Sequence, residues 1–368
     1  MKKLLAGLCT ATMMLTAAVS AAAAHDGDDD RDNRARVFVA SNSAAGNKLL
    51  VFRQGAKSGL AAAGEVATGG LGSGGGLGNQ GGLVATDNGR TLLVVNAGSN
   101  DISVFSVRGD GITLSDRLPS GGVMPVSIAV HDDIVYVLNA GSNNISGFTL
   151  KRNKLAPIAG STLPLSGANT GPAQIAFNPS GDVLLVTEKG TNKIDAYTVN
   201  DHGIASGPKV QNANGQTPFG FAFDKRGHAI VSEAFGGSAS ALSSYSVSAT
   251  GVIQSISHSV DATGQRAACW VVVSKNGKYA YITNTATGTI SSYAIARDGS
   301  LRLISSVAAT TGAGPIDMDF SDDGQTLFVL TAGAKSIQSF EIDSSSGNLT
   351  ALASVAGLPA GANGLVAQ

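Results

Sequence analysis

The sequence predicts an all-β protein: a ring of seven four-stranded antiparallel blades, closed by the C-terminal strand joining the N-terminal blade. Three observations predict it. A strand–loop–strand unit recurs at spacings of 43 to 51 residues, short turns of Gly, Asp, Asn and Ser punctuate every unit, and the two chain ends hold complementary parts of one further unit. A period of that length made of strands is the signature of radially repeated blades, a β-propeller.

The unit is clearest at Val94–Val107, with a near twin at Val137–Leu150. Each reads as two β-type runs around a small polar loop, an antiparallel hairpin. Aligning the loop-entry residue gives Asn96, Asn139, Glu188, Glu233, Asn284 and Thr331. Five copies place an aliphatic residue six positions on (Ile102, Ile145, Ile194, Ile290, Ile337) and an aromatic three further (Phe105, Phe148, Tyr197, Tyr293, Phe340). The copy at Glu233 carries three extra residues in Gly236–Ser240 and resumes with Leu242 and Tyr245. An apolar strand and a turn precede each hairpin, as in Ile175-Ala176-Phe177 followed by Asn178-Pro179-Ser180-Gly181. A second turn, such as Arg108-Gly109-Asp110-Gly111, leads to a fourth strand. Those residue types suit turns because they tolerate positive φ and bond their own backbone. Each unit therefore reads strand a, turn, strand b, polar loop, strand c, turn, strand d.

Full units begin near Leu83, Pro125, Pro172, Pro218, Ala268 and Pro315, which makes six. The N-terminal stretch offers strands b (Val37–Ala40), c (Lys48–Phe52) and d (Ala61–Ala67) without a strand a. The tail Asn363–Ala367 matches the stretch Gln80–Ala85 that opens a unit. Joined, they make a seventh blade and leave no open sheet edge in the ring. Residues 36–368 then form a single domain.

Met1-Lys2-Lys3, an apolar run from Leu4 to Val19 and Ala21–Ala24 have the order of a secretory signal peptide over residues 1–24. This predicts a periplasmic or secreted protein with no membrane span after cleavage. Residues 25–35 are a polar, mixed-charge leader, whose aspartates lack the disciplined spacing of a calcium loop. Charged residues are sparse at 14% and scattered, which argues against nucleic acid as a partner. Cys269 is the one cysteine after residue 24, so no intramolecular disulfide is expected. The expected partner is a small-molecule ligand or substrate, the expected state a monomer, and no cofactor or metal is expected.

Strand alternation puts the a–b and c–d turns on one face and the b–c loops and d–a crossovers on the other. The loop face surrounds the channel mouth, the default pocket. His131, His202 and His228 fall in or beside turns on the opposite face, and neither a Gly-x-Ser-x-Gly elbow nor a Cys-x-x-Cys-His motif occurs. Four charges stand out on the loop face. Glu188 and Glu233 replace the usual Asn at loop entry, Arg266 is the lone charge before a strand a, and Asp317 takes a place that is otherwise apolar or small. Arg266 directly follows the blade of Glu233, so an ion pair between them is expected. Such a pair either braces a solvated channel or acts as a carboxylate base with a guanidinium facing a developing oxyanion. Trp270 and Phe219 are candidates for an apolar, ligand-stacking mouth, or for core.

The repeats resemble the YVTN-type units of lactonase-type seven-bladed propellers, which include propeller-class 6-phosphogluconolactonases and carboxymuconate cyclases. The resemblance spans nearly the whole chain after residue 24. It implies a lactone hydrolase with a His, two Arg and a Glu around the mouth, of which Glu233 and Arg266 match two. The His place is Ala173 here and the other Arg place is Phe219 or Gly220. The alternative is a non-catalytic propeller that binds a small ligand, a glycan or a protein. Intact-mass measurement of the exported protein should give a chain beginning at or near His25. A chain starting upstream of Ala21 would contradict this cleavage.

Overall fold

A computed structural model describes residues 35–55 and 59–368; the expected signal peptide and nearly all of the expected leader lie outside the described residues. The repeat units fold as seven antiparallel sheets. Numbered along the chain, blade 2 comprises Leu83–Ala85, Thr91–Asn96, Asp101–Arg108 and Gly111–Pro119, and blades 3 to 7 follow with inner strands Pro125–His131, Pro172–Phe177, Pro218–Phe223, Ala268–Val273 and Pro315–Phe320. Blade 3 adds a short outer piece, Leu163–Pro164, to its four strands.

Blade 1 is built from both chain ends. Its strands Arg36–Ala40, Lys48–Gln54 and Leu60–Ala67 take Asn363–Ala367 as the inner strand, with Phe38 opposite Val366 and Val39 opposite Leu365. Backbone bonds from Arg36 N to Gln368 O (2.7 Å) and from Gln368 N to Arg36 O (2.9 Å) finish the seam. The sequence-level closure is therefore the observed one.

The repeat positions are the core positions. Ile102, Ile145, Ile194, Ile290 and Ile337 are at most 1% exposed, and Phe105, Phe148, Tyr197, Tyr245, Tyr293 and Phe340 at most 2%. Each such side chain contributes about 1.5–3 kcal/mol on burial. Tyrosine is tolerated because its hydroxyl reaches a carbonyl: Tyr197 donates to Pro164 (2.8 Å) and Tyr293 to Val260 (3.1 Å). The a–b turns keep their glycines because Gly181 (φ 77°) and Gly227 (φ 85°) sit in the left-handed region. The three extra residues after Glu233 are absorbed by a single 3-10 turn, Phe235–Gly237, on the loop face.

Truncation after Gly361 removes the inner strand of blade 1 and strands its backbone partners. The truncated protein should melt many degrees below the full chain. A melting temperature within a degree or two would contradict the seam.

Candidate functional site

Seven inner strands line the channel, and each has an edge whose amides no strand of its own blade can satisfy. The sequence solves this with side chains passed from blade to blade. Ile175 N donates to Ser127 Oγ of the preceding blade (3.2 Å), and Phe221 N to Gln174 Oε1 (2.6 Å). At the seam, Leu365 N donates to Asp317 Oδ2 and Ala367 N to Asp319 Oδ2, both at 3.0 Å. Blade 5 has only Gly220 at the acceptor place, and Gln80 fills in from the crossover before blade 2. Its Oε1 accepts from Val271 N (3.0 Å) and its Nε2 donates to Val271 O (2.8 Å), so the amide spans the channel. A Cβ on Gly220 would lie 2.1 Å from that Oε1, so the missing side chain and the visiting amide fit one another.

The channel ends differ. At the turn end it widens into a cavity of about 800 Å³, lined in part by Gln174, Asp317, Asp319, Lys275, Phe177 and Gln368. At the loop end Ala173, Phe219, Cys269 and Trp270 pack into a buried plug backed by Ile316. The Phe219 and Trp270 ring centroids are 5.1 Å apart at 52°. Over Phe219 stands Lys189, its Nζ 4.6 Å from the ring centroid and donating to Gly78 O. Burial lowers the Lys189 ammonium from its ordinary range to about 8 and pushes the Cys269 thiol up to about 11, so the thiol stays protonated. Among the described residues the buried Trp270 Nε1 has no hydrogen-bond partner.

The predicted site residues divide accordingly. Phe219 and Trp270 do meet, as a plug. Glu233 is fully buried and accepts from Gly215 N (2.8 Å), Ser243 Oγ (2.6 Å) and Ser259 Oγ (2.6 Å), so it ties the incoming crossover to its own blade. Glu188 does the same one blade earlier, with Ser166 N (3.0 Å) and Ser166 Oγ (2.6 Å). The expected Glu233–Arg266 ion pair does not form. Arg266 is exposed and reaches only Gly237 O, at 3.5 Å, because the b-strand end points its carboxylate back toward the preceding crossover, away from the following one. Asp317 lies in the wall of the turn-end cavity, where Met318 N (2.9 Å) and Leu365 N hold it, and not at the loop mouth. The large cavity opens on the turn face, the side opposite to the expected pocket.

Lys189 went unread in the sequence, yet its signal is there. The residue after loop entry is Ala97, Ala140, Ala234, Thr285 and Ala332 in the other copies, and a lysine only in blade 4.

Comparison with known proteins agrees with this architecture. The family "Lactonase, 7-bladed beta-propeller" matches residues 47–157, 158–262 and 238–363, and the chain belongs to that family. A solved structure of a candidate 6-phosphogluconolactonase from Bacteroides fragilis is 18% identical, covering 93% of this chain and 100% of its own, with a TM-score of 0.76. The periplasmic gluconolactonase PpgL of Pseudomonas aeruginosa is 16% identical over 90% of this chain and 99% of its own, with a TM-score of 0.72. A Lactobacillus plantarum protein is 17% identical over 91% and 99%, at 0.75. At such identities the likeness is one of fold. No curated protein matches the sequence.

Asp317 and Asp319 give the site a pH signature. Burial is the main cause that raises Asp317 well above the carboxylate range and Asp319 to about 6. A carboxyl whose folded value is raised stabilises fully below pH 4, and that contribution is lost as pH rises through 6. Thermal melts of Asp319→Asn and the parent should therefore differ progressively in the variant's favour from pH 4 to pH 7. A difference independent of pH would contradict the raised value.

Proposed function

We propose that the protein hydrolyses a lactone at the loop end of its channel, with Lys189 meeting the carbonyl, in the periplasm or outside the cell. The observation that carries this reading is the half-buried Lys189 ammonium held over Phe219, the one charge at its place in the repeat. Family membership and the periplasmic gluconolactonase among its structural neighbours support the reaction class and the compartment. Among the described residues no helix is long and apolar enough to cross a membrane.

The chemistry follows from the plug. A lactone binds on the loop side of the plug, beside Phe219, with its carbonyl oxygen toward Lys189. Water from the loop face attacks the carbonyl carbon and loses a proton to solvent. The ammonium stabilises the oxyanion inside a water-poor surround, where such a charge counts for more than in bulk water. The ring C–O bond then breaks and the alkoxide takes a proton from water, which gives the hydroxy acid. Glu233 serves here by holding its crossover, and exposed Arg266 draws anionic substrates to the rim. The alternative, a non-catalytic binder of small molecules, is favoured by the apolar plug itself, which places Ala173 where the family resemblance puts a histidine.

A lactone panel on the purified protein tests both readings. Lys189→Met should cut kcat/KM by on the order of 10²–10³, the loss typical of one oxyanion donor, while Lys189→Arg retains part of the rate. Glu233→Gln should lower the melting temperature and leave turnover per folded molecule nearly intact. Hydrolysis that survives Lys189→Met overturns the assignment, and ligand binding without turnover selects the non-catalytic reading.

A further inference from the structure

Blade 4 departs from the repeat in a second place. Seven residues after loop entry the other regular copies carry Ser103, Ser146, Ser291 and Gln338, and blade 5 presents Ser243 to its glutamate. Blade 4 alone carries an acid, Asp195, beside the acid already at loop entry, Glu188. Both residues are 0% exposed. One amide, Ser166 N, donates to Glu188 Oε1 (3.0 Å) and to Asp195 Oδ2 (2.9 Å), so the carboxyls stand side by side. The Ser166 hydroxyl lies 2.6 Å from Glu188 Oε2, and the Thr191 hydroxyl also donates to that oxygen. Asp195 Oδ1, also buried, accepts from no N–H or O–H group among the described residues. Among the described residues no Lys, Arg or His forms an ion pair with either acid; Lys193, opposite Glu188 across the strand pair, makes none.

Two acids out of water and in contact need a neutralising charge, a proton or a cation, since an unpaired buried charge is costly. We propose that Glu188 and Asp195, with the hydroxyls of Ser166 and Thr191, bind a hard divalent cation of the calcium class. The donor set is oxygen throughout, which suits calcium and disfavours the transition metals that prefer imidazole or thiolate. Among the described residues no three His, Cys, Asp or Glu gather, so hydroxyls complete the set in place of a third acid. Asp195 Oδ1 supplies a lone pair that no N–H or O–H group among the described residues engages. The ion would brace Ser166, in the crossover entering blade 4, against the 188–193 loop. The site stands apart from the lactonase reading, since none of its four side chains belongs to the plug.

Terbium and calcium test this on the purified, chelator-treated protein. Tyr197 lies two residues along the same strand from Asp195, on the same face, and is positioned to sensitise bound Tb³⁺. The expected result is sensitised emission that saturates at one ion per chain, is displaced by Ca²⁺ at or below about 1 mM, the weak end of known calcium modules, and disappears in Tyr197→Phe while calorimetric Ca²⁺ binding persists. Asp195→Ser restores the side chain of the other blades, so it should fold, lose Ca²⁺ heat and lose the Ca²⁺-dependent rise in melting temperature. No Ca²⁺ heat at 1 mM or above would overturn the proposal and leave a proton shared by the two acids as the neutralising charge. Binding unchanged in Asp195→Ser would overturn it too, by placing the ion elsewhere.

Discussion

The ring depends on one constraint: every inner strand has a backbone edge facing its neighbour's blade, and those amides must be satisfied in a narrow channel. Within a blade the ladders do this work, but between blades the strands run too far apart for a continuous sheet. Side chains of the preceding inner strand take over at Ser127, Gln174, Asp317 and Asp319. An amide hydrogen bond is worth only about 1 kcal/mol net, yet a buried donor left unmade costs about 1–3 kcal/mol. The arrangement therefore matters more for what it prevents than for what it adds. At the seam the side chains of Asp317 and Asp319 hold the closing strand.

The same constraint shapes the site. Gly220 offers no acceptor, so Gln80 crosses the channel to Val271. That crossing and the plug of Phe219, Cys269 and Trp270 seal the loop end, leaving the cavity to open at the turns. Lys189 is the cation the plug leaves half-buried, and its contact with the Phe219 ring stands in for a carboxylate partner. Where the family resemblance would put His and a second Arg, this chain has Ala173 and Phe219 or Gly220.

Much of the architecture was legible in the sequence because it rests on period and alternation. The spacing of Ile and aromatic positions fixed the core, and the orphan tail Asn363–Ala367 fixed the seam to the residue. The site was less legible. Glu188 and Glu233 look like charges at a mouth when only position is known, since alternation says which face a residue is near and not which neighbour its side chain meets. In the fold they turn back toward the preceding crossover, where Ser166 and Gly215 donate to them, and Glu233 also accepts from Ser243 of its own blade. Arg266 fails to meet Glu233 for the same reason. Lys189 is not legible because a lysine in a polar loop is ordinary until the bulge of the next inner strand brings Phe219 beneath it. Gln80 could not be found by any local rule, as its partner is 191 residues away.

The account's central claim is that inter-blade amides are held by these borrowed acceptors, and hydrogen exchange reads it directly. The amides of Ile175, Phe221, Val271, Leu365 and Ala367 should exchange as slowly as those within the blades, and Gln80→Ala should speed exchange at Val271 while leaving Phe221 and Leu365 protected. Exchange at loop-like rates in the parent protein, or a Gln80→Ala variant in which Val271 stays as slow as before, would contradict it.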